Sequence, residues 1–323
     1  MPYEDVVELA LYDPEHGFYA AGGQAGRRGD FITSPEIGPL FGHLVSRAID
    51  HCWDDLGQPQ DFTVIEFGAG PGTLARGILA AKPRCADSLT YIAVERSTAQ
   101  RGLHPEGVES VETLTNERIG GGFTGMVIAN ELLDNLAFCP IQWDGATCLY
   151  SHVDVDERDE LVEVYLPIAD RLHPVELAGR STHDQQAAAA WLDSVMGTVL
   201  ATGRVIVIDY GRLRSEDVTV RTFSDHGTAG QPLGELGSKD ITVDVDLEAL
   251  QLRVRPADTL QLQKVWLESL GIAELVVEGR AIWEREAAVG GLDAIRGLSR
   301  AKEAEALCLD AGLGRFCVAE WVI

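Results

Sequence analysis

The stretch VIEFGAGPGTLARGIL, Val64 to Leu79, decides how the rest of the chain is read. A short apolar run carries an acid, Glu66. Glycines then follow at alternate positions, Gly68, Gly70 and Gly72, and a helical pattern comes next. This is the sequence of a buried strand turning into a helix, with glycines where the backbone must close on a ligand. A dinucleotide-binding turn would place its third glycine at position 73, which is Thr73, and the Gly-Lys-Ser/Thr ending of a Walker loop is absent. Both phosphate readings lose ground.

Glu66 would repel a pyrophosphate, but it suits the ammonium of S-adenosylmethionine, which needs a carboxylate nearby. The next apolar run, YIAVERS, ends in Glu95, 25 residues beyond Gly70, where an acid accepts hydrogen bonds from both ribose hydroxyls. That feature serves NAD and S-adenosylmethionine alike. A third run, GMVIAN, passes into the polar ANELLD segment and favours a class I methyltransferase. An NAD site and a purely structural glycine turn remain the alternatives. The expected cofactor contacts are Glu66, Gly68, Gly70, Gly72, Thr73 and Glu95. Asn130 either contacts the cofactor or caps the next turn.

Working outward, FTVIEFG, LTYIAVE, GMVIAN, GRVIVIDYG and the C-terminal GRFCVAEWVI read as buried strands. Helical patterns lie between them: TLARGILAAK, DQQAAAAWLDSVMGTVLATG ending on Gly203, and TLQLQKVWLESLGI with Gly271 as its stop. Strands alternating with helices predict an α/β fold with a mostly parallel sheet covered on both faces. Two regions break the rhythm: residues 140 to 175 alternate like a small antiparallel sheet, and residues 212 to 260 are polar and Gly-rich. The expected organisation is a cap or lid over 1–60, the cofactor-binding half of the core over 61–139, an inserted small sheet and helix over 140–200, and the second half of the core over 201–323 with the polar insertion inside it.

Composition narrows the partners. The net charge is −25, and no Lys/Arg stripe with interleaved aromatics is visible, so a nucleic-acid phosphate backbone is an unlikely ligand while a basic one is compatible. No apolar run approaches the ~20 residues of a membrane helix. The acidic opening MPYEDVVELALYDPEHGFY reads as neither a secretory nor a mitochondrial signal, which predicts a cytoplasmic protein. Six cysteines without a CxxC pair predict free thiols, no disulfide framework and no metal site.

Several segments then carry a resemblance: LYDPEHGFYA, RRGDFITSPEIGPLFG, IEFGAGPGTL, VIANELLDNL, VIDYG, KDITVDVD and LQKVWLESLGI, in that order from Leu11 to the C-terminus. The chain resembles the MidA-like S-adenosylmethionine-dependent methyltransferases, the group that includes a mitochondrial complex I assembly factor acting as a protein arginine methyltransferase. The resemblance implies a Rossmann-like, seven-stranded class I sheet with an N-terminal cap and substrate-side insertions. It also implies cofactor contacts at the three glycines and Glu95, and a protein substrate. Ala137 stands where the family usually has proline, and RTFSDHGTAGQPLGELG keeps chiefly Thr222 and His226 of the usual pattern.

Methyl transfer is an in-line displacement, so the protein contributes most by holding nucleophile and methyl carbon in line. An arginine acceptor is a delocalised cation, and carboxylates that grip its fork are the expected device. Glu131 and Asp134, three apart beyond a strand end, either supply them or cap the next helix. Asp30, Thr33, Ser34 and Glu36 either close over the ligand or form a turn and an N-cap. His226 is either a general base or a structural loop residue. Asp240 and Asp244 either bind a basic substrate or lie on a solvated face. The resulting expectation is methylation of a protein side chain, with arginine favoured and the oligomeric state open. The rivals are a small-molecule methyltransferase and a cofactor-binding assembly or chaperone module with little turnover.

Overall fold

The computed structural model describes residues 1–19, 33–168, 177–224, 227–228, 231–287 and 291–323. Asp30 and His226 lie outside the described residues. The chain divides into two compact units. A core unit comprises Ile32–Asn130, Thr198–Ile208 and Asp258–Ile323, and an inserted unit comprises Met1–Phe31, Glu131–Gly197 and Asp209–Ala257.

The core unit is an α/β sheet. Its strands are β1 (Phe62–Phe67), β2 (Leu89–Val94), β3 (Glu109–Val111), β4 (Phe123–Asn130), β9 (Leu200–Asp209, the last residue opening the inserted unit), β15 (Thr259–Leu262) and β16 (Cys317–Val322). Their order is β15-β16-β9-β4-β1-β2-β3. From β3 to β9 neighbouring strands run parallel, whereas β15 and β16 are antiparallel. Val64, Ile65, Met126 to Ala129 and Val205 to Ile208 are buried, the continuous apolar runs expected of strands covered on both faces. The order reverses between β1 and β4, and open sheets of this kind bind ligands beyond the strand C-termini at such a reversal. The glycine turn leaves β1 there, and Asn130 ends β4 beside it.

Helices of this unit include α2 (Ser34–Ile37), α3 (Pro39–Asp55), α4 (Thr73–Ala81), α5 (Thr98–Arg101), α6 (Asn116–Ile119), α9 (Gln263–Ser269), α10 (Ile272–Glu286) and α11 (Leu292–Leu307). Gly271 stops α9 as expected, at φ +84. Gly203 does not stop a helix. The preceding helix, α7 (Gln186–Ser194), gives way to a π turn over Val195–Val199, and β9 has begun by Leu200. Gly203 pairs with Gly125 of β4, where a β-carbon would stand 1.8 Å from the Gly125 carbonyl oxygen. The glycine is there for strand approach.

The inserted unit begins with α1 (Tyr3–Tyr12). Tyr3, Val6, Val7, Ala10 and Leu11 of this helix share one apolar cluster with Phe138, Ile141, Tyr150, Val153, Val218, Ile241 and Val243. The unit's first sheet has strands β5 (Cys139–Trp143), β6 (Cys148–Val155), β7 (Leu161–Pro167) and β8 (His183–Asp184), antiparallel in the order β7-β6-β5-β8. Smaller pairings involve β10 (Gly211–Arg212), β11 (Val220–Ser224), β12 (Gly227–Thr228), β13 (Asp240–Val243) and β14 (Val245–Asp246), and α7 and α8 (Leu247–Arg253) complete the unit.

The expected small antiparallel sheet is therefore present, but the expected boundaries change. Residues 1–60 are not one segment. Their first part shares the apolar cluster of the inserted unit, while α2 and α3 belong to the core. The two insertions expected at 140–200 and 212–260 fall in one unit, over Glu131–Gly197 and Asp209–Ala257, together with Met1–Phe31. Four of the six free cysteines are buried and two, Cys148 and Cys308, are half-buried. Among the described residues no helix is long and apolar enough to cross a membrane, and no group of three or more His, Cys, Asp and Glu side chains is placed to hold a metal.

Candidate active site

The core unit turns out of β1 through Gly68, Gly70 and Gly72 at φ +67, +53 and +76, left-handed angles that only glycine adopts at little cost. The N–H groups of Gly68 and Ala69 donate to the Val94 carbonyl at 3.0 and 3.2 Å, tying the turn to the end of β2. Gly70 is held on both sides. Its N–H donates to Glu95 Oε2 at 2.9 Å, and its carbonyl lies 2.8 Å from His104 Nε2, which must be the donor because a carbonyl only accepts. Glu95 Oε1 accepts the Ser97 N–H at 2.7 Å, and each carboxylate oxygen keeps a further lone pair. His104 carries no sequence signal. It lies in a loop, and only the folded turn brings it to Gly70.

Glu66 is buried, and its Oε2 accepts the Tyr91 hydroxyl at 2.7 Å. Burial pushes its carboxyl up to about 7, against the lowering effect of Tyr91. An acid stripped of water in this way gains most from a cation placed beside it. Thr73, the first residue of α4, donates its hydroxyl to Glu36 Oε1 at 2.6 Å, so these two predicted residues meet. Asn130 is half-buried at the end of β4, one residue past the Phe67–Ala129 pair that precedes the glycine turn. Ser34 corrects its expectation: it is fully buried, its hydroxyl donates to Gln263 Oε1 at 3.0 Å, and it packs inside the core unit instead of lining a lid. Thr33 is likewise buried and precedes α2 without making a side-chain cap.

In the inserted unit the chain after Asn130 makes one tight turn over Leu133–Asn135. Glu131 enters it at φ +54, unusual for a residue with a side chain and typically strained by about 1–3 kcal/mol. Asp134 is buried, and its Oδ1 has no hydrogen-bond partner among the described residues. Burial, followed by the charges of Asp209, Asp240 and Glu131, holds its carboxyl well above the usual range. Asp240 accepts from Asn135 Nδ2 at 3.0 Å and from the Tyr19 hydroxyl at 3.3 Å. Tyr12 stacks on Tyr19 with ring centroids 5.3 Å apart and donates to the Asn135 carbonyl at 3.3 Å. Burial and then Asp240 hold the Tyr19 phenol well above its ordinary range.

Asp209 accepts the first N–H groups of the turn, those of Leu132 and Leu133. Asp240 and Asp244 are not on a solvated face. Asp244 is buried and paired to Arg212 at 2.9 Å and to Arg221 at 2.5 Å. Its charge is structural.

A family model described as "Putative S-adenosyl-L-methionine-dependent methyltransferase" matches residues 44–265. The chain belongs to this family. Its cofactor is S-adenosylmethionine, and the NAD alternative falls away. The methyltransferase is similar to the protein arginine methyltransferase NDUFAF7 homolog of Drosophila melanogaster, 26% identical over 78% of this chain and 66% of the relative. It is also similar to human NDUFAF7, 25% identical over 83% of this chain and 69% of the relative. Both relatives are named as mitochondrial, which gives no support to the cytoplasmic expectation. A crystal structure from Burkholderia thailandensis bound to S-adenosyl-homocysteine superposes with a TM-score of 0.82 at 26% identity, covering 100% of this chain and 88% of the other. The glycine turn, with the buried Glu66 and the open lone pairs of Glu95 as acceptors, suits an adenosyl amino acid: hydroxyls donating to Glu95, an ammonium to Glu66.

Proposed function

We propose that this methyltransferase modifies a protein side chain, with arginine as the acceptor. The observation that carries the proposal is the turn after β4, where Glu131 and the buried Asp134 gather with Asp209 and Asp240. S-adenosylmethionine supplies an electrophilic methyl group. The protein must supply a place for a cation that gives up one proton as its nitrogen gains the methyl. Carboxylates hold a guanidinium by its fork. Asp134, whose Oδ1 has no hydrogen-bond partner among the described residues, is the candidate to receive the proton released. The names of the curated relatives support the same acceptor class, and the net charge of −25 favours basic partners.

The test is incubation with methyl-labelled S-adenosylmethionine and a lysate from cells lacking the protein, followed by mass spectrometry of every labelled species. Methylarginine in a protein is the expected product. A labelled small molecule would favour a small-molecule methyltransferase, and cofactor binding without label transfer would favour an assembly or chaperone module.

A further inference from the structure

We propose that Asp209, the last residue of β9, is a positioning residue that holds the Glu131–Asp134 turn in its working conformation. The inference rests on the reading of that turn as the acceptor end. Asp209 is buried, 1% exposed, and backbone N–H groups engage both its oxygens: Oδ2 accepts from Leu132 at 3.2 Å and Leu133 at 2.9 Å, and Oδ1 accepts from Tyr210 at 2.8 Å. Gripping the Leu132 N–H fixes the peptide plane that follows the Glu131 α-carbon, and with it the ψ of the residue whose φ is +54. A left-handed residue with a side chain persists only where its surroundings over-determine it. Here the carboxylate across the next two amides does so. The same grip sets Asp134, one residue beyond Leu133.

The hydrogen-bond pattern makes the requirement chemical as well as steric. A carboxylate accepts on both oxygens, whereas an amide has one accepting end and one donating end. At position 209 both ends face N–H donors, so neither orientation of an asparagine avoids setting donor against donor. Asp134 differs, because its Oδ1 faces no donor among the described residues and would tolerate an amide.

Asp209→Asn in the full chain tests this by hydrogen exchange of the peptide spanning residues 130–136, by S-adenosyl-homocysteine titration and by methyl-transfer kinetics. Exchange at Leu132 and Leu133 should accelerate at least tenfold while protection elsewhere is kept. S-adenosyl-homocysteine affinity should stay within twofold, and kcat should fall at least tenfold at an unchanged KM for S-adenosylmethionine. Parental protection of the turn, or parental kcat, would overturn the assignment. The exchange result stands apart from the acceptor reading, since it needs no turnover; a parent protein that never labels an arginine would instead contradict the proposed function. If Asp209→Asn does not fold, Glu131→Gly/Asp209→Ala is expected to be soluble, because alanine sets no donor against the amides and glycine needs no support at that φ. A double variant as insoluble as the single one would overturn the inference.

Discussion

At the residue scale, the cofactor was legible because the pattern that points to it depends on spacing along a few consecutive residues. Three alternate glycines after an acid, and a second acid at the end of the next strand, survive any rearrangement of distant parts. Glu66 shows what spacing leaves out: burial lifts its carboxyl to about 7 against the lowering effect of the Tyr91 hydroxyl, and neither is visible in sequence. A carboxyl whose folded pKa is raised contributes stability fully below its unfolded value and loses it as pH rises through the folded value. The window for Glu66 is therefore from about 4.5 to about 7, and the loss above it is on the order of 3 kcal/mol. Glu66→Gln, which can still accept from Tyr91, should raise the melting temperature of the ligand-free protein by several degrees at pH 8 and by much less at pH 4.5. Equal gains at both pH values would show that Glu66 does not titrate in this range. His104 was illegible for a different reason: its partner, the Gly70 carbonyl, is a backbone group, and backbone partners leave no pattern in side-chain identities.

At the element scale, the central strands were read correctly because strands buried on both faces are continuous apolar runs. The errors fall where an element's role depends on a distant neighbour. Gly203 looked like a helix stop because an alanine-rich run precedes it, yet its place is set by Gly125 on another strand. Likewise β15 was absorbed into the helix that follows it, because an edge strand of four residues, paired only with β16, has too little pattern to stand out. Gly203→Ala should abolish folding, since its β-carbon would stand 1.8 Å from a backbone oxygen in the middle of the sheet. Soluble protein with parental circular dichroism would mean that β4 and β9 can separate without cost. The helix α1 belongs with the insertions because of five side chains that point into the small sheet's cluster, a fact of packing that local sequence does not record.

At the scale of the whole molecule, fold class and cofactor were legible, whereas the partition into two units was not, since it depends on chain segments that meet only after folding. The whole chain also carries a pH signature. Glu66, Asp134 and Asp209 all have folded pKa values raised by burial, so the stability they contribute is complete below the ordinary carboxylate range and declines toward neutral pH. Asp54, Asp144, Glu216 and Glu248 are lowered, so theirs is lost only as the medium becomes acidic. Together with a net charge of −25 this predicts a melting temperature several degrees higher at pH 5.5 than at pH 8; a maximum at pH 8 would contradict it. The central claim, that the turn after β4 is where the acceptor is held, is tested most directly by methyl incorporation into protein at saturating S-adenosylmethionine, for the parent and for Glu131→Gln and Asp134→Asn, with melting curves alongside. Turnover should fall at least tenfold, about 1.4 kcal/mol or more of transition-state stabilisation, with cofactor affinity unchanged, and Asp134→Asn should melt higher than the parent at pH 8 because it relieves a buried carboxyl repelled by Asp209, Asp240 and Glu131. Parental turnover in both variants would contradict the claim.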